Sequence, residues 1–334
     1  MPKKYSEPLY FKGFPAASYP NLQGSVPLTA SWADVTRALL IVGYQNFSKS
    51  QAIVGSWRSM MLFSLAYGNL RPDLSSTAYF ERLEPSEKVS TSFLLGQGMT
   101  YWCAQSHLGV RFLLHVSDRT REYKPLAAGV PGKLGPLQLA PRSRPDFLGI
   151  GPGRERHIFE SKGRSAKQAS VYPGNKLVAE ALGQACRIAR VHNRTPTTWT
   201  ACIWTLTKAG MLGWIEDPPP PPGALELDID LVWSIRRAYS LFLDRNASPE
   251  PTVSGADFVQ FRVTGEWSIA LDRKIYETLQ SLRIKNPGTG EQFLSTLEAR
   301  QADIAGIRQR PGIAGGPDGV FLVGPKDDPR FFHR

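Results

Sequence analysis

The chain is short of the residues that staple small folds or cage zinc, with three cysteines and five histidines in 334 residues. Cys103, Cys186 and Cys202 stand in apolar stretches without Cys-x-x-Cys spacing, which excludes a disulfide scaffold and reads as buried free thiols in a reducing compartment. No histidine pairs with a cysteine at zinc-ligand spacing. Long apolar runs are missing too, so no membrane span is expected. Met1 to Pro8 carries Lys3 and Lys4 with no apolar stretch behind them, which does not read as a secretion signal. A cytoplasmic protein without a membrane partner is the expectation, and the chain has no internal repeat.

Acidic residues are also in deficit. Forty Lys and Arg face 29 Asp and Glu, a formal net charge of +11. From Arg142 to Lys208 the excess is steeper, with twelve basic residues against four acidic. Such a balance favours polyanionic partners, nucleic acid first, because each neutralised phosphate releases condensed counterions.

Within that basic stretch lies the pattern that carries chemistry. Pro145-Asp146 opens a short apolar run, Phe147 to Ile150, and a proline is tolerated at the first position of a strand. Gly151 to Arg156 reads as a turn, and His157 to Gly163, containing Glu160-Ser161-Lys162, reads as a second strand. A hairpin brings Asp146 near Glu160, and alternation along a strand puts Glu160 and Lys162 on one face. Two carboxylates suit Mg2+ or Mn2+, hard cations that take oxygen ligands together with substrate phosphate oxygens. An adjacent ammonium suits the charge that develops on phosphorus oxygens. As a bare string the pattern is weak, because Pro-Asp recurs at Pro72-Asp73 and Pro317-Asp318, and a second Glu-x-Lys stands at Glu122-Tyr123-Lys124. Only the pair from 145 to 162 has strand character on both halves.

The flanking elements fit around it. Upstream, Glu87 to His107 reads as a helix and Val110 to Val116 as a strand. Downstream, the spacing of apolar residues predicts an amphipathic helix over 175–191, bearing Gln184. Thr198 to Thr207, rich in β-formers, reads as the next strand.

These residues and their order resemble the PD-(D/E)xK nucleases, the restriction-endonuclease-like superfamily, over about residues 87 to 208. The resemblance implies an α/β (α+β) fold with a central mixed sheet flanked by helices. It implies Asp146 and Glu160 as metal ligands, Lys162 as the catalytic lysine, and Gln184 at the position of the glutamine found in the RecB-like branch. Two departures stand out: Ile188 occupies the place of that branch's tyrosine, and the first helix offers only Gln97 mid-helix and Glu87 at its start where an acidic ligand often lies. The expected activity is metal-dependent hydrolysis of phosphodiester bonds, in DNA ahead of RNA, of the kind used in microbial defence and by mobile elements. Arg154, Arg156, Arg164 and Lys167 are the candidate phosphate contacts. The alternative is a nucleic-acid-binding or assembly subunit that keeps the fold without cutting.

Around this core, spanning 86–210, the sequence suggests two additions. Residues 1–85 read as an irregular arm and helices, with a capping box at Ser31 ahead of a helix over 35–44 and another over 50–67. The prolines from 218 to 222 form an extended connector. Residues 224–334 read as an α+β accessory module, with helices over 227–246, 273–283 and 291–308 and strands over 258–263, 267–271 and 319–323. A protein partner or a second copy of the chain is a further expectation, assigned to no one segment. His157 reads as an exposed residue at the start of its strand.

Overall fold

A computed structural model describes residues 8–42, 55–116, 123–125, 144–167, 170–219, 225–243 and 257–332. Its centre is a seven-stranded mixed sheet in the order β2-β1-β9-β8-β6-β5-β3. In chain order these strands are β1 (Leu9–Lys12), β2 (Gly24–Val26), β3 (Phe112–His115), β5 (Phe147–Ile150), β6 (Arg156–Ser165), β8 (Thr198–Thr207) and β9 (Gly210–Glu216). β6 pairs with β8 in parallel and with β5 in antiparallel, so it sits mid-sheet. β8 is buried at every position, which suits a strand in which seven of ten residues are β-branched or aromatic.

Two helices sandwich the sheet at β6. α4 (Pro85–His107) covers one face and opens with Pro85 in its first turn and a capping box between Glu84 and Glu87. α5 (Asn175–Ala185) covers the other over a smaller apolar cluster that includes Val178, Ala181, Ala201 and Ile203. The close fit of α4 on β6 depends on glycine. A Cβ on Gly163 would lie 1.8 Å from the Ser92 carbonyl oxygen, and one on Gly96 would lie 2.7 Å from the Gly163 Cα. One turn further along α4, the Thr100 hydroxyl donates to the Ser161 hydroxyl at 2.9 Å and accepts from the Trp204 indole at 3.0 Å.

The residues before α4 join this architecture. β1 pairs in parallel with β9, although the sequence suggested an irregular arm here. Alternation over four residues is too short a signal, and the partner lies some two hundred residues away. α1 (Trp32–Leu40) has the expected capping box, with Ser31 accepting from the Asp34 amide, but stops at Leu40. α2 runs Gly55–Asn69 and α3 Ala78–Arg82.

The helix expected over 175–191 ends at Ala185. After a turn at Cys186, residues Ile188–Val191 form β7, which pairs in parallel with β10 (Leu225–Leu227), and β10 pairs with β4 (Tyr123–Pro125). Ile188 and Ala189 continued the helical spacing of the sequence, yet the bonds that decide the conformation come from β10. The helix expected over 227–246 is α6, Leu231–Ala238 only, capped by Asp230. A four-stranded antiparallel sheet follows in the order β11-β12-β14-β13, from Phe258–Thr264, Trp267–Asp272, Val320–Val323 and Ile313–Gly315. α7 (Arg273–Ser281), α8 (Gly288–Ala299) and α9 (Gln301–Arg308) pack with it, the last two being one expected helix broken at Arg300. The proline connector beyond 219 lies outside the described residues.

This module is tied to the N-terminal helices by a buried polar clasp. Arg37 of α1 donates to both Asp318 oxygens at 3.1 Å and to Gln105 of α4 at 2.5 Å, and Gln105 donates to Asp318 at 2.8 Å. The Val320 amide also donates to Asp318. Both charged side chains are essentially sealed from water, 2% and 0% exposed.

Gly163→Ala is expected to lower stability by roughly 3 kcal/mol or to block folding, because its methyl meets backbone that cannot give way. Gly183→Ala, in α5 with nothing within 4 Å of the added carbon, should instead raise stability by up to about 1 kcal/mol. Thermal melts of the two variants check the pair, and equal melting temperatures would contradict the close approach.

Candidate active site

The hairpin places the two carboxylates. β5 and β6 are in register at Phe147 and Phe159, so one step beyond the ladder Asp146 stands opposite Glu160. The Ser161 amide donates to Asp146 Oδ2 at 2.9 Å, and the Asp146 carbonyl accepts from the Val116 amide, which fixes this residue at the strand end. Phe147 and Phe159 turn into the core, while Glu160 and Lys162 share the face covered by α5.

Lys162 is held among acceptors. Its Nζ lies 2.8 Å from Glu160 Oε1, donates to Gln184 Oε1 at 2.5 Å and lies 3.7 Å from Glu180 Oε1. Glu180 and Gln184 are one turn apart on α5 and so present one face. These residues, with Asp146, Arg144 and Ser161, line a cavity of about 620 Å3 whose other wall is α4 at Val89, Ser90, Phe93 and Leu94.

The electrostatics are strained. Glu160 is 2% exposed, and its Oε2 has no hydrogen-bond donor. Burial, then the Asp146 carboxylate beside it, push the Glu160 pKa well above the ordinary carboxylate range. Burial raises Asp146 as well, against the pull of the Ser161 amide and of Lys162. For Lys162, burial lowers the pKa, but Glu160 and the other carboxylates outweigh it and the net shift is upward. Two desolvated carboxylates with an oxygen that faces no donor form a place a hard cation could occupy. Among the described residues no three His, Cys, Asp or Glu side chains converge, so a cation here would rest on two carboxylates, leaving its other positions to water or phosphate oxygens as Mg2+ prefers.

Comparison with protein-family models, with curated proteins and with solved structures returned no match. The geometry is therefore the only guide to what the cavity does.

Asp146, Glu160, Lys162 and Gln184 meet in this cavity. The four basic candidates do not line it. Arg154 and Arg156 lie at the opposite end of the hairpin, Arg156 four residues or roughly 13 Å along the strand from Glu160. Arg154 pairs with Glu291 of α8, and Arg156 donates to the Arg154 carbonyl. Arg164 follows Lys162 on the same face, donating to Thr205 Oγ1 at 2.9 Å and to the Pro173 carbonyl at 3.2 Å. Lys167 is exposed beyond the end of β6. Glu87 caps its own helix by accepting from the Glu84 amide, and Gln97 is buried in α4 away from the cavity. His157, expected to be exposed, is fully buried against Thr198, and burial with Arg156 nearby pushes its pKa down to about 4. Glu122 of the second Glu-x-Lys lies outside the described residues. Glu180 and Arg144 are the cavity residues missed in the sequence. Helical spacing from Gln184 points to the first and strand alternation from Asp146 to the second.

In the metal-free protein a raised Glu160 pKa means the native state holds a proton that the unfolded chain has released, so stability falls as pH rises from the ordinary carboxylate range toward the native value. Glu160→Gln keeps the shape without that proton. Relative to wild type in chelator, the variant should gain up to about 1.4 kcal/mol per pH unit across that window, measured by urea melts. A difference that stays constant with pH would remove the case for a strained Glu160.

Proposed function

We propose that this chain is a metal-dependent nuclease that hydrolyses phosphodiester bonds, in DNA before RNA, on a restriction-endonuclease-like core. The observation that carries the reading is the convergence of Asp146, Glu160 and Lys162 at one cavity wall, with a buried Glu160 oxygen that faces no donor. The large mixed sheet with helices on both faces agrees with it, as does the basic stretch between 142 and 208.

Asp146 and Glu160 would hold Mg2+ or Mn2+. Such an ion, when bound, makes a coordinated water a stronger nucleophile and offsets charge on the phosphate. In the hydrolysis the water oxygen bonds to phosphorus, the bond to one sugar oxygen breaks, and that oxygen leaves with a proton. Lys162 offers its ammonium to a non-bridging phosphate oxygen or to the attacking water, where charge builds as the new bond forms. Gln184 and Glu180 aim that ammonium into the cavity, which makes them positioning residues. Arg144, on the cavity wall, is placed to meet a phosphate next to the one that reacts. Arg154 and Arg156, some distance off and tied to local partners, add only to the surrounding positive field.

A second reading has a specific observation behind it. The first helix contributes no acidic residue to the cavity, and among the described residues no third carboxylate joins Asp146 and Glu160 closely enough to complete a metal group. A nucleic-acid-binding subunit with a nuclease-like core would look the same.

One set of assays separates the two. With Mg2+ or Mn2+ the purified chain should cut DNA, chelator should stop it, and Asp146→Ala and Lys162→Ala should each slow cutting by about a hundredfold or more while melting curves stay cooperative. Full cutting by both variants would move the site elsewhere. Absence of cutting, with DNA affinity indifferent to Glu160→Ala, would favour the binding subunit. Calorimetric titration of Mn2+ in buffers of different ionisation enthalpy adds an independent check, since displacement of a carboxyl proton should release protons in wild type and fewer in Glu160→Gln.

A further inference from the structure

A line of exposed aromatic side chains leads across the surface to the mouth of the catalytic cavity. Trp57 and Met61 stand one turn apart on the outer face of α2, and Trp57 is 71% exposed. Tyr79 of α3, 62% exposed, lines with Met61 a second cavity of about 450 Å3, bounded by Ser90 of α4. Ser90 also lines the catalytic cavity, beside Val89 and Phe93, both of them exposed. The two cavities therefore meet at Ser90 on α4, with Trp57 one turn before Met61 on the far side of the second cavity.

The charge along this path differs from that of the cavity. Of the residues that line the second cavity only Glu87 is charged, so it offers phosphates no cation, whereas the catalytic cavity holds Arg144 and Lys162 beside Asp146, Glu160 and Glu180, two of which would carry the metal of the nuclease reading. Intact duplex offers such a strip only phosphates and groove edges, because its base faces are already stacked, and a cavity lined by no basic residue has little hold on phosphates. An unpaired strand offers open base faces for aromatic rings to stack on, while its backbone reaches Arg144, Lys162 and the place where Asp146 and Glu160 would hold a cation. Exposed rings in a cavity that borders a site for phosphate chemistry match that occupant.

We propose that the strip from Trp57 through Tyr79 to Phe93 is a stacking track for an unpaired polynucleotide strand, which makes single strands and frayed ends, not intact duplex, the substrate class of the cavity. The assignment of substrate rests on the nuclease reading above, but the binding does not need cleavage to be observed.

The test measures affinity in chelator, where nothing is cut, by fluorescence anisotropy of a labelled oligothymidylate and of a mixed-sequence duplex of equal length. Trp57→Ala and Tyr79→Ala alter exposed side chains away from the catalytic residues, so folding and the cavity should be unchanged. Expected are tighter binding of the single strand than of the duplex, and a loss of single-strand affinity of about fivefold or more in each variant with duplex affinity unmoved. Equal affinity for the two forms, or unchanged single-strand binding in both variants, overturns the proposal and leaves the nuclease reading standing. Sedimentation that finds a wild-type dimer dissolved by Trp57→Ala also overturns it, by assigning the strip to self-association. Failure of the nuclease reading would show separately, as absence of metal-dependent cutting with the stacking result intact.

Discussion

The close approach of α4 to β6 is the contact on which the rest of the molecule depends. Gly96 and Gly163 let a helix backbone and a strand backbone meet with no side chain between them, and Ser161, Thr100 and Trp204 continue the seam with hydrogen bonds. Because β6 is mid-sheet, fixing it fixes β8 on one side and β5 on the other. The face turned away from α4 then presents Glu160 and Lys162 to α5. One helix supplies the rigidity and the other the polar partners, so Glu160 and Lys162 sit on a strand whose back is clamped.

Local pairings were legible in the sequence, and distant ones were not. The β5–β6 hairpin needs only a short turn between alternating runs, which is why Asp146, Glu160 and Lys162 could be placed together from residue pattern alone. β8 was equally plain, with matching bounds at Thr198 and Thr207. The β1 strand and β7 were lost because their conformations are set by β9 and β10, which no nearby residue announces. The arginines show another limit. Arg154 and Glu160 are six residues apart in the chain, yet an extended strand carries them to opposite ends of the hairpin, so a dense run of charge did not become one surface. His157 was misjudged for a similar reason, since a strand start in the sequence lies deep in the sheet once β8 covers it.

Placing two carboxylates under a helix is unfavourable unless something compensates, and Lys162 does so only in part. Its three nearby acceptors hold the ammonium against Glu160 Oε1 and leave Oε2 without a donor. The cavity is therefore preorganised at a cost in stability, with backbone on one side and α5 on the other preventing the side chains from relaxing into water. Strain of this kind belongs to a group that waits for a charged visitor.

The clasp between Arg37, Gln105 and Asp318 gives the chain a temporal order. A ribosome delivers the arginine and the glutamine long before the aspartate, 281 residues after Arg37, exists. Until it arrives, the guanidinium must stay in water or lie in the interior without its carboxylate, so the space between the first helix and the long helix closes late in synthesis. The segment that carries Asp318 is thus a part of the same interior as α1 and α4, and 281 residues of chain separate the two halves of the seal.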